Sequence, residues 1–225
     1  MRSSKISIFD SKCDYLVNTV NTVGAMGTGL ALDFRLRVPE MYYIYKEKCR
    51  RKEIEIGKYW IYNKQNRINK RILNFPTKKH FIHPSKSEYL INGLDFFLNN
   101  YKKDRINSIA FPLLGARNGK LNADYSYYIL FEKLSDLSID IELCEGKKSD
   151  KFVFYLKDLI KNSSIDQITT ESRISKEHCI KLFEEIDRIK YLTELVEHKI
   201  LPAETLQSIY NFGFRHLNKK IYNYT

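Results

Sequence analysis

Through residue 144 the chain alternates short β-branched runs with amphipathic ones, and beyond residue 150 the strand pattern stops. Ile6 to Phe9, Tyr15 to Val20, GKYWIYN, RILNF, INSIAFPLL and LSIDIELC read as strands. Between them, helices are expected from about Thr28, from Pro39 at a first helical position, from a cap at Ser85 or Ser87, and over NADYSYYILFEKLSD. Strands alternating with helices argue for an α/β sheet with helices on both faces. EGKKSD, residues 145 to 150, reads as a linker, and three amphipathic helices follow it: KFVFYLKDLIKN, a long one from Ile174 to Lys199, and PAETLQSIYNFGFRHLNKKIY. The expected organisation is one domain over residues 1–145 and an all-helical extension over 151–225.

No apolar run reaches the roughly 18 residues of a membrane span. The start, MRSSKISIFDSK, has no signal-peptide apolar core, so a cytoplasmic protein without membrane contact is expected. Cys13, Cys49, Cys144 and Cys179 lie far apart with no C-x-x-C pair, which favours buried reduced thiols and argues against a metal site. The net charge is +11, and residues 46 to 79 hold 12 basic against 3 acidic side chains. Such a field favours a polyanion, with a solvated lysine-rich surface as the competing explanation.

Three stretches carry chemistry. "VNTVNTVGAMGTGLALDF", residues 17 to 34, sets Asn18 and Asn21 among valines and then crowds Gly24, Gly27 and Gly29 ahead of a helix. Free backbone N–H groups at a strand end, beside a helix N-terminus, suit a diphosphate. Its spacing is neither G-x-G-x-x-G nor G-x-x-x-x-G-K, which argues against a dinucleotide fold and a P-loop. A structural glycine turn beside hydrogen-bonded core asparagines is the competitor. "FPLLGARNGKLN", residues 111 to 122, repeats the layout with Gly115 and Gly119. "NFPTKKHFIHPS", residues 74 to 85, crowds Lys78, Lys79, His80 and His83 after a strand. A lysine attacks only when neutral, and Lys79, Arg71 or partial burial would lower the pKa of Lys78. Otherwise these cations simply touch phosphate.

Taken in chain order, residues 17–34, 74–85 and 111–122, the three motifs resemble a macrodomain of the DarG type, over about residues 4 to 145. More distantly they are similar to the terminal ADP-ribose protein glycohydrolase branch. The resemblance implies a mixed sheet sandwiched by helices, and an enzyme that removes ADP-ribose from DNA bases modified by DarT toxins. It implies ADP-ribose, ADP-ribosylated DNA and a DarT-like toxin as partners, with no cofactor. By the same likeness Lys78 is the catalytic lysine and Asn21 positions the distal ribose. Asn18, Thr22, Val23, Gly24, Met26, Gly27, Thr28, Gly29 and Leu30 would line the ligand. Pro76 and Thr77 join them from the second motif. Pro112, Leu113, Leu114, Gly115, Ala116, Arg117, Asn118, Gly119, Lys120 and Leu121 form the loop that wraps the diphosphate and distal ribose.

The sequence departs from the family pattern at three points. The loop commonly reads G-C-G-N-G-G-L, and Arg117 stands where a glycine is usual. The protein-directed branch often has a catalytic aspartate in this loop, and none lies between Gly115 and Leu121, which favours DNA. The acid that commonly meets adenine is replaced by Ser7. Two alternatives stand beside the DNA-directed hydrolase. One is a hydrolase of ADP-ribosylated glutamate or aspartate, or of O-acyl-ADP-ribose. The other is a non-catalytic ADP-ribose reader.

Overall fold

The computed structural model describes residues 1–222, and side chains for residues 1–218. It divides into two compact units: residues 1–26 with 38–148, and residues 27–37 with those from Ser149 onward. Residues 223–225, the end of the expected extension, lie outside the described part.

The first unit is built on a six-stranded sheet in the order β1-β6-β5-β2-β4-β3. Its strands are β1 (Arg2–Ser4), β2 (Tyr15–Asn21), β3 (Trp60–Tyr62), β4 (Arg71–Lys78), β5 (Ser108–Pro112) and β6 (Asp140–Cys144). All pairings are parallel except β3 on β4, which closes one edge antiparallel. The mixed sheet expected from the resemblance is therefore present. Ile6 to Phe9 is a correction: the first strand is Arg2–Ser4, and Ile8–Asp10 is a 3-10 turn. Ser7 Oγ accepts the Phe9 N–H and caps that turn, drawing the chain out of extension.

Side-chain direction alternates along each strand and assigns the two faces. Tyr15, Val17, Leu73 and Phe75 point into a core that holds α3 (Ser87–Asn100) and α4 (Ala123–Leu134). There Phe97 meets Phe111 edge-on, with ring centroids 5.5 Å apart. Gly93 of α3 is a packing requirement, since a Cβ there would come within 2.3 Å of the Phe75 ring. Asn18 and Asn74 belong to the opposite face, beside Met41 of α2 (Pro39–Arg50).

Central β2 and β4 are nearly all buried, as strands covered on both faces must be. Pro76 lies opposite Val20 and has no N–H for the ladder. The next pair is Asn21 with Lys78, so Thr77 is the extra residue of a β-bulge. The bulge ends regular pairing where the candidate site begins.

The second unit contains α1 (Gly29–Arg37), α5 (Lys151–Lys161), α6 (Ile165–Ser172), α7 (Lys176–Glu185), α8 (Glu194–Glu197) and α9 (Ala203–Tyr222). The all-helical character holds beyond residue 150, but not the expectation of three helices. Residues 165–172 form a helix of their own, capped by Ser164 Oγ on the Gln167 N–H at 3.1 Å. The long helix of residues 174–199 is broken. The Glu194 carboxylate takes the N–H groups of Lys190 and Tyr191, which a continuous helix would satisfy internally. All four cysteines are buried and free. Among the described residues no helix is long and apolar enough to cross a membrane, and no cluster of three metal-ligating side chains occurs.

Candidate active site

Asn21, Lys78 and Pro112 end three neighbouring parallel strands, in the order β5-β2-β4. Open α/β sheets bind ligands at this carboxyl edge. Thr22 continues the union past the bulge, its N–H reaching the carbonyls of Lys78 and Lys79 and its Oγ1 the Lys79 carbonyl at 2.8 Å.

Asn21 organises the first loop. Its Oδ1 accepts the N–H groups of Val23 and Ala25, and its Nδ2 donates to the Ala25 carbonyl at 2.7 Å. Tyr45 of α2 donates its hydroxyl to the Asn21 carbonyl at 2.5 Å. Burial raises the pKa of that phenol and keeps it a donor. Gly24 turns the chain at φ +82°, a backbone that disfavours side chains. Val23 is half exposed and Met26 is buried. Gly27 stands in open space, where a Cβ would meet nothing within 4 Å. In the second unit, the Gly29 N–H opens α1 and donates to Glu197 Oε1 at 2.7 Å, so that N–H is already engaged.

Asn18 lies deeper. Its side chain is fully buried and donates to Asn74 Oδ1 at 3.0 Å, leaving Asn18 Oδ1 without a hydrogen-bond partner among the described residues. Asn74, which was not among the expected site residues, is a buried neighbour of Asn18. Its signal was present, because an asparagine in the apolar run RILNF repeats the anomaly of Asn18.

Lys78 Nζ donates to the Asn118 carbonyl at 2.5 Å and lies 3.4 Å from that of Phe81. Its pKa is lowered, chiefly by loss of solvent and then by the charge of Lys120. Partial burial is thus the chief cause, as expected, and the cation that adds to it is Lys120 rather than Lys79 or Arg71. Arg71 begins β4 and Lys78 ends it, so an eight-residue strand puts them roughly 23 Å apart.

The third motif is a strained loop. Gly115, Arg117 and Lys120 all have positive φ, at +69°, +52° and +63°. Arg117, standing where a glycine is usual, thus takes a backbone conformation that glycine favours, and so does Lys120. Such conformations cost L-residues about 1 kcal/mol each. Arg117 is held by an Nη2 hydrogen bond to the Gly146 carbonyl at 2.9 Å. Ser85 supports the loop from below, donating its N–H to the Gly119 carbonyl at 2.9 Å. Its Oγ is buried without a partner among the described residues and would lie 2.7 Å from a Cβ on Gly119. Neither Ser85 nor Ser87 caps α3; the N-cap is Lys86, which makes no side-chain cap bond. Leu114 is fully buried, and Leu121 packs under Gly115.

Two clefts open beside the first loop. One, of about 530 Å³, is lined by residues including Thr22, Ile54, Lys79, Tyr89 and Asn92. The other, of about 390 Å³, is lined by Val23, Tyr43, Lys46, Glu47, Cys49 and Arg50. The basic segment is less available than its sequence implies. Arg50 and Arg51 bind Glu47, Lys48 binds Glu53, and Lys70 donates to the Cys13 carbonyl.

Sheet order, loops and strand ends define an α/β domain built on a mixed sheet, and residues 17–129 match the family model described as Macro domain, half of the chain. This chain belongs to the macro domain family. It is 42% identical over 122 residues to a DNA ADP-ribosyl glycohydrolase of Thermus aquaticus, an alignment covering 54% of this chain and 34% of that protein. The macrodomain of Thermus aquaticus DarG superposes with a TM-score of 0.60 at 37% identity, covering 64% of this chain and 97% of that one. Thermosipho africanus DarTG in complex with ADP-ribose gives a TM-score of 0.59 at 31% identity, over 61% of this chain and 39% of that one. The chain spans about a third of the length of the curated relatives it matches.

Proposed function

We propose that this chain is an ADP-ribosyl glycohydrolase acting on ADP-ribosylated DNA bases, and that it counteracts a DarT-like DNA ADP-ribosyltransferase. The observation that carries the reading is the setting of Lys78: partly desolvated, beside Lys120, at the carboxyl edge of the sheet between two ligand loops. Likeness to DarG macrodomains and to an ADP-ribose complex supports the ligand.

In this mechanism the Thr22–Met26 and Gly115–Leu121 loops hold the diphosphate and distal ribose, and Asn21 fixes the first loop through Val23 and Ala25. Substrate displaces the Asn118 carbonyl from Lys78, and neutral Nζ attacks the anomeric carbon. The Nζ–carbon bond forms as the glycosidic bond breaks, and the base leaves with the electron pair and takes a proton from solvent. Water then adds at the same carbon, releasing ADP-ribose and free lysine. Backbone N–H groups of the loops stabilise the charge of the transition state.

A second reading, a non-catalytic ADP-ribose reader, draws on one contact. Lys78 as an ammonium already donates to Asn118, as a phosphate-binding lysine would. One assay separates the readings: incubation with ADP-ribosylated thymidine DNA, ADP-ribosylated guanosine DNA and an automodified protein. Release of ADP-ribose from DNA is expected; release from protein alone overturns the DNA-directed reading, and release from none favours the reader.

A further inference from the structure

Beyond Lys78 the chain makes a tight turn, His80-Phe81-Ile82-His83, closed by the His83 N–H on the His80 carbonyl at 3.2 Å. Central turn positions ordinarily carry Gly, Asn, Asp or Pro. Here they carry Phe81 and Ile82, which are 53% and 69% exposed. The exposure is structured. The Phe81 ring stacks on the His80 imidazole with centroids 4.3 Å apart and planes 29° from parallel. The Ile82 N–H is directed at His80 Nδ1, 3.4 Å away. His80 thus holds one face of the Phe81 ring. Lys78 Nζ lies 3.4 Å from the Phe81 carbonyl, which sets the turn directly beside the proposed nucleophile. Residues 77 to 87 carry three lysines, two histidines and no acid.

We propose that this turn is a stacking platform for single-stranded DNA, on which Phe81 and Ile82 receive the face of a base flanking the modified nucleotide. Lys79 lies next to the turn and contacts the adjoining phosphate. The inference rests on the DNA-directed reading and adds how the strand is held. A base carrying ADP-ribose has to leave its stack before an enzyme group reaches the sugar bond, and its neighbours are then unstacked. Aromatic and apolar side chains take up such base faces without regard to sequence, while adjacent cations follow the backbone. An exposed apolar tip with Lys78 at its carbonyl and Lys79 and Lys86 nearby in the chain matches a single strand better than an intact duplex, whose base faces are covered.

The test measures fluorescence anisotropy of a short, unmodified oligothymidine and of a duplex of equal length, near physiological salt. The variants are Phe81→Ala combined with Ile82→Ala, and Phe81→Trp alone. ADP-ribose titration in parallel reports that the fold persists. The double variant should bind the single strand about tenfold more weakly, with little change toward duplex. The Phe81→Trp variant should keep affinity, with added emission that the oligonucleotide quenches. Affinity within about twofold of the parent for the double variant, equal loss on duplex, or emission indifferent to DNA would each overturn the platform. The oligonucleotide carries no ADP-ribose, so the result is independent of hydrolysis. A parent that leaves modified DNA intact overturns the activity reading alone, and unchanged oligonucleotide binding overturns the platform alone.

Discussion

Two of the polar clusters buried among the described residues are built on opposite terms. In the second unit, Arg37 is almost wholly enclosed yet reciprocated on every side: Nε on Asp33 at 2.9 Å, Nη2 on Asp150 at 2.8 Å, and the guanidinium over the Phe152 and Tyr210 rings. Tyr210 donates to Asp33 at 2.9 Å, and Asp150 also caps α5. Burial raises the pKa of Asp33, and the two carboxylates hold Arg37 charged. At the sheet edge of the first unit the polar groups carry surplus capacity instead. Asn18 Oδ1 and Ser85 Oγ are unmatched among the described residues, Lys78 is partly desolvated, and three residues of one loop hold left-handed backbones. Burial of charge alone therefore does not mark a site; unspent valence and strain beside it do.

Substitutions can break this comparison. The largest effect is expected at Lys78: both Lys78→Ala and Lys78→Arg should lower ADP-ribose release by about a thousandfold or more, since arginine stays protonated. ADP-ribose affinity measured by calorimetry should change far less. Arg37→Met should instead act on stability, at about 3 kcal/mol, by stranding two buried carboxylates. A urea midpoint close to the parent's would show that the cluster is not the structural one. Asn21→Ala should slow turnover about a hundredfold through a loosened loop, and a normal rate would remove it from the machinery. Gly27→Val has open space to occupy, so stability should stay within about 0.5 kcal/mol, while ADP-ribose affinity falls about tenfold as the side chain enters the cradle. The smallest effect is a shift in pH. Activity should rise as Lys78 loses its proton, and Lys120→Ala removes a cation that lowers that pKa. The rising limb of log kcat against pH should therefore move to higher pH; a move to lower pH would contradict the electrostatic coupling.

Periodicity read the sheet well because β2, β4 and β5 hold short apolar runs and β6 alternates charged with apolar residues, and helices α2 and α4 begin where their sequences signal. It failed where a side chain replaced a backbone partner. Ser164 with Gln167 three residues on is a capping pattern that heralds α6 and went unread. The Glu194 carboxylate breaks what amphipathic spacing presents as one helix. At the site, the motifs gave the strand ends and loops, but not their wiring. Lys120 acts on Lys78 across 42 residues of sequence, and Ser85 under Gly119 across 34. Closeness along the chain was also misleading: Lys70 and Arg71 precede Lys78 by only a few positions, yet an extended strand carries them to the far end of the sheet.

The bulge at Thr77 has a consequence for how this segment tolerates change. Side chains along β4 point alternately to the two faces, and the single extra residue resets the alternation just before Lys78. The segment is thus sensitive to length before it is sensitive to identity. Exchanging Ile72 or Leu73 for another apolar residue leaves the count intact, whereas removing Thr77, itself expected to line the ligand, would take out the bulge and pair the lysine with Asn21 in an unbroken ladder, changing where the strand ends.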